Sequence, residues 1–325
     1  MSASGGGDDQ RESRVPRDMQ GLVKFCIEQG AECDNPEGML SQMTAERREW
    51  LESALSNMTT NPVTRMKEGL IKMNQPDDED NENLTDEKIA AIEEIMEWCE
   101  NIDLAIDFHK IGGYEVLAKQ FDHSEPEVRW NALELLGILV QNNPYCQEAA
   151  IKHGLLPLAL QIIDNDNNAT VRTKALYAIS CLCRDVPDAQ KVFVEKDGFS
   201  VIMRAMQTDV EKLKIKAAFM LSSMCNEKPE FKDIMCDIGM IDQLVGHLQE
   251  EHGAFHEHMM SALLTIVRDH PRAYEECHRH ELNLISTLND RTEFLKGKEE
   301  FQEELEYATE LLRLLEDPDT SDVAR

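Results

Sequence analysis

The 325-residue chain sets 63 acidic against 33 basic side chains, a net charge of −30, with 42% apolar and only 6% aromatic residues. A field of that sign repels nucleic acid and anionic membrane, so neither is expected as a partner. No apolar run approaches the ~20 residues of a membrane span, and the N-terminal "MSASGGGDDQRESRVPR" lacks the hydrophobic middle of a secretion signal.

In chain order, the Gly-, Ser- and charge-rich leader over residues 1–17 is expected to be disordered. An N-terminal helical region with an acidic loop follows over 18–86. It holds "DMQGLVKFCIEQG" and "MTAERREWLESALSNM" as amphipathic helices, the second N-capped by Thr44. "NPVTRMKEGLIKM" places Asn61 at an N-cap and Pro62 at the first helical position. "NQPDDEDNENLTD" is the acidic loop, and helical patterning runs from Thr85 almost without pause to Glu316. No segment alternates with period two for long, so the fold class is all-α.

Within 87–316 the punctuation repeats. Pro144, Pro187, Pro229 and Pro271 stand 43, 42 and 42 residues apart; Gly112, Gly154, Gly198 and Gly239 stand 42, 44 and 41 apart. Before each proline lies a helix with one apolar stripe: Val128, Ala132, Leu136 and Leu139, then Val171, Ala175, Ile179 and Leu182. Leu213, Ala217, Leu221 and Met224 repeat it, as do Phe255, Met259, Leu263 and Ile266. Ser124 with Glu127, and Thr208 with Glu211, read as capping boxes starting two of these helices. A period of roughly 40–47 residues built from two or three helices is the signature of armadillo or HEAT solenoids. One unit cannot bury its stripe alone, whereas stacked units share a continuous core. The expectation is an armadillo-like right-handed solenoid of about four repeats with helical caps at both ends. "EKIAAIEEIMEWCENIDLAIDFHKIGG" is a partial unit with Ile102 where proline would stand, and Glu281 replaces the glycine of the last unit. "FQEELEYATELLRLLE" is the capping helix, and residues 317–325 form a frayed tail.

Chemistry-bearing motifs are missing: there is no GxGxxG after a strand, P-loop, GxSxG or HExxH. His252, His256 and His258 read as an exposed helix start, and Cys277, His278 and His280 lack a second ligand pair. The nine cysteines, without any CxxC, read as reduced core thiols of a cytoplasmic protein. No cofactor, metal or enzymatic activity is expected.

About 180° round each long helix from the buried stripe lie Asn131, Glu134, Ile138 and Gln141; Lys174, Tyr177, Cys181 and Arg184; Lys216, Phe219, Ser223 and Asn226; and His258, Ser261, Thr265 and Arg268. Four such helices side by side would present a surface roughly 30–40 Å across. Lysine and arginine gathered with Tyr177 and Phe219 make this face basic and aromatic within an acidic chain, the residue types enriched in binding hot spots. The candidate partner-binding residues are Asn131, Glu134, Lys174, Tyr177, Lys216, Phe219 and His258, with Arg172 and Lys214 as supporting charges. A passive adaptor gripping extended peptides is the alternative. It usually carries a ladder of Asn and Trp, whereas the matching positions here are Ile138, Cys181, Ser223 and Thr265, with Trp130 the one Trp of the repeats.

"VRTKALYAISCL", "DGFSVIMRAMQ", "KLKIKAAFMLSSM", "FHEHMMSALLTIVRD" and "EEFQEELEYATELL", in that order, closely resemble the armadillo-type nucleotide exchange factors of the HspBP/Fes family. "GLVKFCIEQG" and "MTAERREWLESAL" resemble the N-terminal region of the same proteins. The resemblance implies a monomer that forms a 1:1 complex with the ATPase domain of a cytosolic 70-kDa heat-shock chaperone. Its concave face would grip one lobe, so that the other is displaced and ADP leaves.

Overall fold

The computed structural model describes residues 61–76 and 83–316. The leader, the two helices expected before Asn61, residues 77–82 of the acidic loop and the tail lie outside the described residues, and residues 83–86, expected as loop, already belong to a helix. The chain divides into two compact units, residues 1–65 and 66–325; the second is built as follows.

Helix α1 (Pro62–Met73) starts where expected, with the Asn61 side chain accepting from the Val63 N–H at 3.0 Å. Its later residues belong to the second unit. Met66 Sδ meets Cys99 Sγ at 3.9 Å, and the Met73 carbonyl accepts from Gln120 Nε2 at 3.0 Å. Helix α2 (Asn83–Cys99) leads into three-helix units. The first is α3 (Ile102–Lys110), α4 (Gly113–Gln120) and α5 (Pro126–Val140); the second is α6 (Pro144–Lys152), α7 (Leu155–Asn165) and α8 (Ala169–Cys183). The third is α9 (Pro187–Glu195), α10 (Gly198–Met206) and α11 (Glu211–Glu227). The fourth is α12 (Phe231–Asp237), α13 (Met240–Leu248) and α14 (His256–Val267), and the fifth α15 (Pro271–Cys277), α16 (Leu284–Leu295) and α17 (Gln302–Glu316). No strand occurs among the described residues. The four expected repeats thus extend to five, because the partial unit supplies α2 and α3 while the capping helix serves as a fifth third helix.

The third helices α5, α8, α11, α14 and α17 pack successively on one another. The apolar seam of α5, α8, α11 and α14 is the sixteen-residue stripe, including Phe255 at the cap of α14, and it is buried throughout. The seven cysteines among the described residues are free and buried too.

Backbone chirality explains the punctuation better than proline and glycine alone. Gly112, Gly154, Asp197, Gly239 and Asn283, one after each first helix, all adopt positive φ and stand 42, 43, 42 and 44 residues apart. The reading that put Gly198 in this series was one residue out. The left-handed residue is Asp197, and Asn283 rather than Glu281 closes the last turn, since short polar side chains tolerate this region. A second series, Asn142, Asp185 and Asp269, is left-handed two residues before Pro144, Pro187 and Pro271. The third unit carries Glu227 there. Its helix α11 continues through that residue, and α12 begins only at Phe231, past Pro229.

The expected capping boxes do not form. Helix α5 starts on Pro126 after Glu125, and α11 starts at Glu211 after Val210, neither with a side-chain cap. Thr208 Oγ1 instead donates back to the Ala205 carbonyl at 2.8 Å. A proline-set φ needs no such cap in α5, and Thr208 is spent closing the previous helix.

A staple recurs inside the units. Gln147 Nε2 of α6 donates to the Cys181 carbonyl at 2.8 Å and the Arg184 carbonyl at 3.3 Å, at the end of α8. The equivalent Gln190 reaches the Glu227 side chain, Lys232 Nζ the Arg268 carbonyl at 2.7 Å, and Tyr274 Oη the Leu315 carbonyl at 3.2 Å. In the second, fourth and fifth units the first helix thereby satisfies carbonyls at the end of its own third helix, whereas Gln190 also donates to the Cys183 carbonyl of the preceding unit at 2.9 Å.

Candidate partner-binding groove

Each third helix buries one stripe and leaves another for solvent, so the residues opposite the seam fall in rows across α5, α8, α11 and α14. Between the first three lies a groove of about 430 Å³ lined by Glu134, Ile138, Lys174, Tyr177, Lys212 and Lys216. A second, of about 530 Å³, lies between α11 and α14, where Phe219, Ser223, Asn226, His258, Ser261 and Thr265 meet.

The first groove is an ordered lattice of cations and rings. Lys174 Nζ pairs with Glu134 Oε1 at 2.6 Å and stands 5.7 Å from the centre of the Trp130 ring. The Tyr177 hydroxyl donates to Gln141 Oε1 at 3.2 Å, and Lys216 Nζ lies 5.5 Å from the Tyr177 ring centre. Tyr177 can lie against α5 because Gly137 has no side chain: a Cβ there would stand 2.4 Å from Tyr177 Cε1. Burial, reinforced by the Cys181 thiol and Glu134 and opposed by Arg184, pushes the Tyr177 phenol up to about 12. Burial also raises the Cys181 thiol, against the Tyr177 hydrogen bond and the cations Arg184 and Lys216. Both groups are therefore neutral at physiological pH, and the positive charge belongs to the lysines and Arg184. Phe219 adds an aromatic side chain that is 59% exposed.

The structure brings Glu134, Lys174, Tyr177, Lys216, Phe219 and His258 to these grooves and holds the other three candidates within the stack. Asn131 is buried, donating through Nδ2 to the Glu127 carbonyl at 3.0 Å, on a helix that α2 packs against. Arg172 Nε donates to the Ile163 carbonyl at 2.7 Å. Lys214 is buried, its ammonium 3.2 Å from Glu250 Oε2 and 4.5 Å from the Phe255 ring centre. The reason is angular: two residues are about 200° of helix, so Arg172 and Lys214 point away from Lys174 and Lys216. Sequence reasoning missed Gly137, whose mid-helix position was the available signal, and Lys212, which enters from the first turn of α11.

The histidine-rich stretch differs from its expected exposed helix start. His256 is fully buried, accepts from the Gly253 N–H at 2.9 Å and stacks on His252, with ring centres 5.4 Å apart. It occupies the position that Arg129, Arg172 and Lys214 hold in earlier units. His252 in turn pairs with Glu304 at 2.9 Å. No cluster of three metal-ligating side chains occurs among the described residues.

Comparisons with known proteins agree with this architecture. The family model "SIL1/FES1/HPBP1 C-terminal domain" matches residues 104–243, and "Nucleotide exchange factor Fes1" matches residues 19–108. Hsp70-binding protein 1 of Rattus norvegicus is 39% identical over 92% of this chain and 86% of its own length. The Homo sapiens protein of the same name is 39% identical over 93% and 86%. The Hsp70 nucleotide exchange factor FES1 of Eremothecium gossypii is 28% identical over 51% of this chain and 60% of its own. Among solved structures, a designed armadillo repeat protein superposes with a TM-score of 0.61 at 15% identity, covering 77% of this chain and 99% of its own, a likeness of fold alone. The chain is a member of the SIL1/FES1/HPBP1 family, built as an all-α armadillo-type solenoid.

Proposed function

We propose that this protein is a cytoplasmic co-chaperone that binds the ATPase domain of 70-kDa heat-shock chaperones, one to one, and promotes nucleotide exchange by displacing one lobe. Relatives spanning nearly the whole chain carry the name Hsp70-binding protein 1, and the family model over the N-terminal region is that of a nucleotide exchange factor. The single observation that carries the reading is the groove lattice itself: Trp130, Lys174, Tyr177, Lys216 and Phe219 presented in rows by helices whose seams are close-packed. Such a protein transforms no substrate. It acts by binding the open, nucleotide-free chaperone more tightly than the closed, ADP-bound one.

A ~100-fold acceleration of ADP release needs a preference of about 2.7 kcal/mol for the transition state. Stacked helices suit the task because a pliable binder would deform before the lobes parted. Linkage is reciprocal, so added nucleotide weakens the complex.

The test is stopped-flow release of a fluorescent ADP from a chaperone ATPase domain, with and without this protein. Acceleration is expected, and Phe219→Ala should reduce it about tenfold through lost binding while leaving the melting temperature unchanged. Binding without acceleration would replace exchange by scaffolding.

A further inference from the structure

Resting on the exchange-factor reading, we infer that the partner docks in one orientation, with a carboxylate-bearing protrusion seated between α8 and α11 against Lys212 and Lys216, and an uncharged surface over the groove between α11 and α14. The two grooves differ in charge. Lining the first are three lysines, Lys174, Lys212 and Lys216, against one carboxylate, Glu134. Glu134 is taken up by Lys174. Among the described residues Lys212 and Lys216 have no ion pair, and Lys216 is aimed by the Tyr177 ring, which attracts the ammonium without neutralising it.

The second groove has no lysine or arginine in its wall. It offers the hydroxyls of Ser223, Ser261 and Thr265, the Asn226 amide, His258 and the Glu227 carboxylate, with Phe219 at its edge. In a chain of net charge −30, an acidic protrusion is repelled from most of the surface and drawn to this recess, which gathers unpaired cations and whose walls focus the field. Reversing the docking would set carboxylates against Glu227 and leave the two lysines facing uncharged surface. Charge therefore fixes register and direction, while Phe219 and the hydroxyl-lined recess supply shape and hydrogen bonds.

The test uses the full chain and a 70-kDa chaperone ATPase domain. Lys212→Glu with Lys216→Glu is compared with a control of equal charge change, Lys191→Glu with Lys196→Glu, on exposed positions at α9. All four side chains are exposed, so folding should persist, verified by circular dichroism. Wild-type affinity should fall between about 50 and 300 mM salt. The groove variant should bind about tenfold more weakly at low salt with a flatter salt dependence, and the control should follow wild type. Carbodiimide coupling of the complex should join Lys212 or Lys216 to a carboxylate of the ATPase domain. Unchanged affinity of the groove variant, or a coupled complex without either lysine in its cross-links, overturns this orientation while leaving exchange activity intact. A wild-type chain that neither binds nor speeds ADP release overturns the exchange reading and this inference with it.

Discussion

Gly113 and Gly198 open the second helices of the first and third units, and each lies on an aromatic ring from the helix before. An added Cβ would stand 2.4 Å from Phe108 at one and 2.5 Å from Phe193 at the other, and both rings are fully buried. Gly198→Ala should cost about 1–3 kcal/mol by overpacking, read from the urea midpoint. Its neighbour Asp197 holds φ 56, so Asp197→Gly should instead be neutral or stabilising by up to about 1 kcal/mol; equal losses at both sites would contradict this division of labour. His256 gives a pH dependence of definite sign. Burial, with help from Arg291 and His252 and against Glu304 and a Gly253 hydrogen bond, holds its imidazole below the ordinary range. The unfolded chain then binds a proton that the folded chain refuses, so this contribution is complete above about pH 6.5 and is lost as pH falls towards the depressed folded value. Urea midpoints should drop between about pH 7.5 and 5.5, and His256→Gln should flatten that drop.

At the scale of elements, helix ends are held by partners distant in sequence. Gln147 sits in α6, yet its amide serves carbonyls at the end of α8. Gln147→Leu keeps the volume and removes the donor, and should cost about 1–3 kcal/mol because the buried Cys181 carbonyl and the half-buried Arg184 carbonyl lose their partner; an unchanged urea midpoint would mean that water replaces it. The start of α1 was more legible. Pro62 at its first turn, the Asn61 cap and the stripe spacing of the long helices are local signals, and the structure has them as read. The capping boxes failed because α5 starts on Pro126 and α11 at Glu211, past the expected caps, while Thr208 turns back to the Ala205 carbonyl. Arg172 and Lys214 were misplaced because nearness in sequence says little about which way a helical side chain faces.

Over the whole molecule, charge acts with two signs. A net −30 chain repels itself, so screening should raise stability even as it weakens binding through the lysine-lined groove. Thermal melts from low salt to about 0.3 M should gain about 1 kcal/mol, or about 2–4 °C. A falling melting temperature would mean that pairs such as Arg129–Asp166, at 2.7 Å and partly buried, outweigh the general repulsion. From the sequence alone came the fold class, the period, the sixteen buried stripe residues and most of the groove row, because each follows from 3.6-residue periodicity repeated along the chain. Only the tertiary structure decided which charged residues are free: Lys216 stands over Tyr177 while Lys214 is buried against Glu250 and Phe255. The physical reason is that burial of a face depends on the neighbouring helix laid against it, and those neighbours lie some forty residues away along the chain.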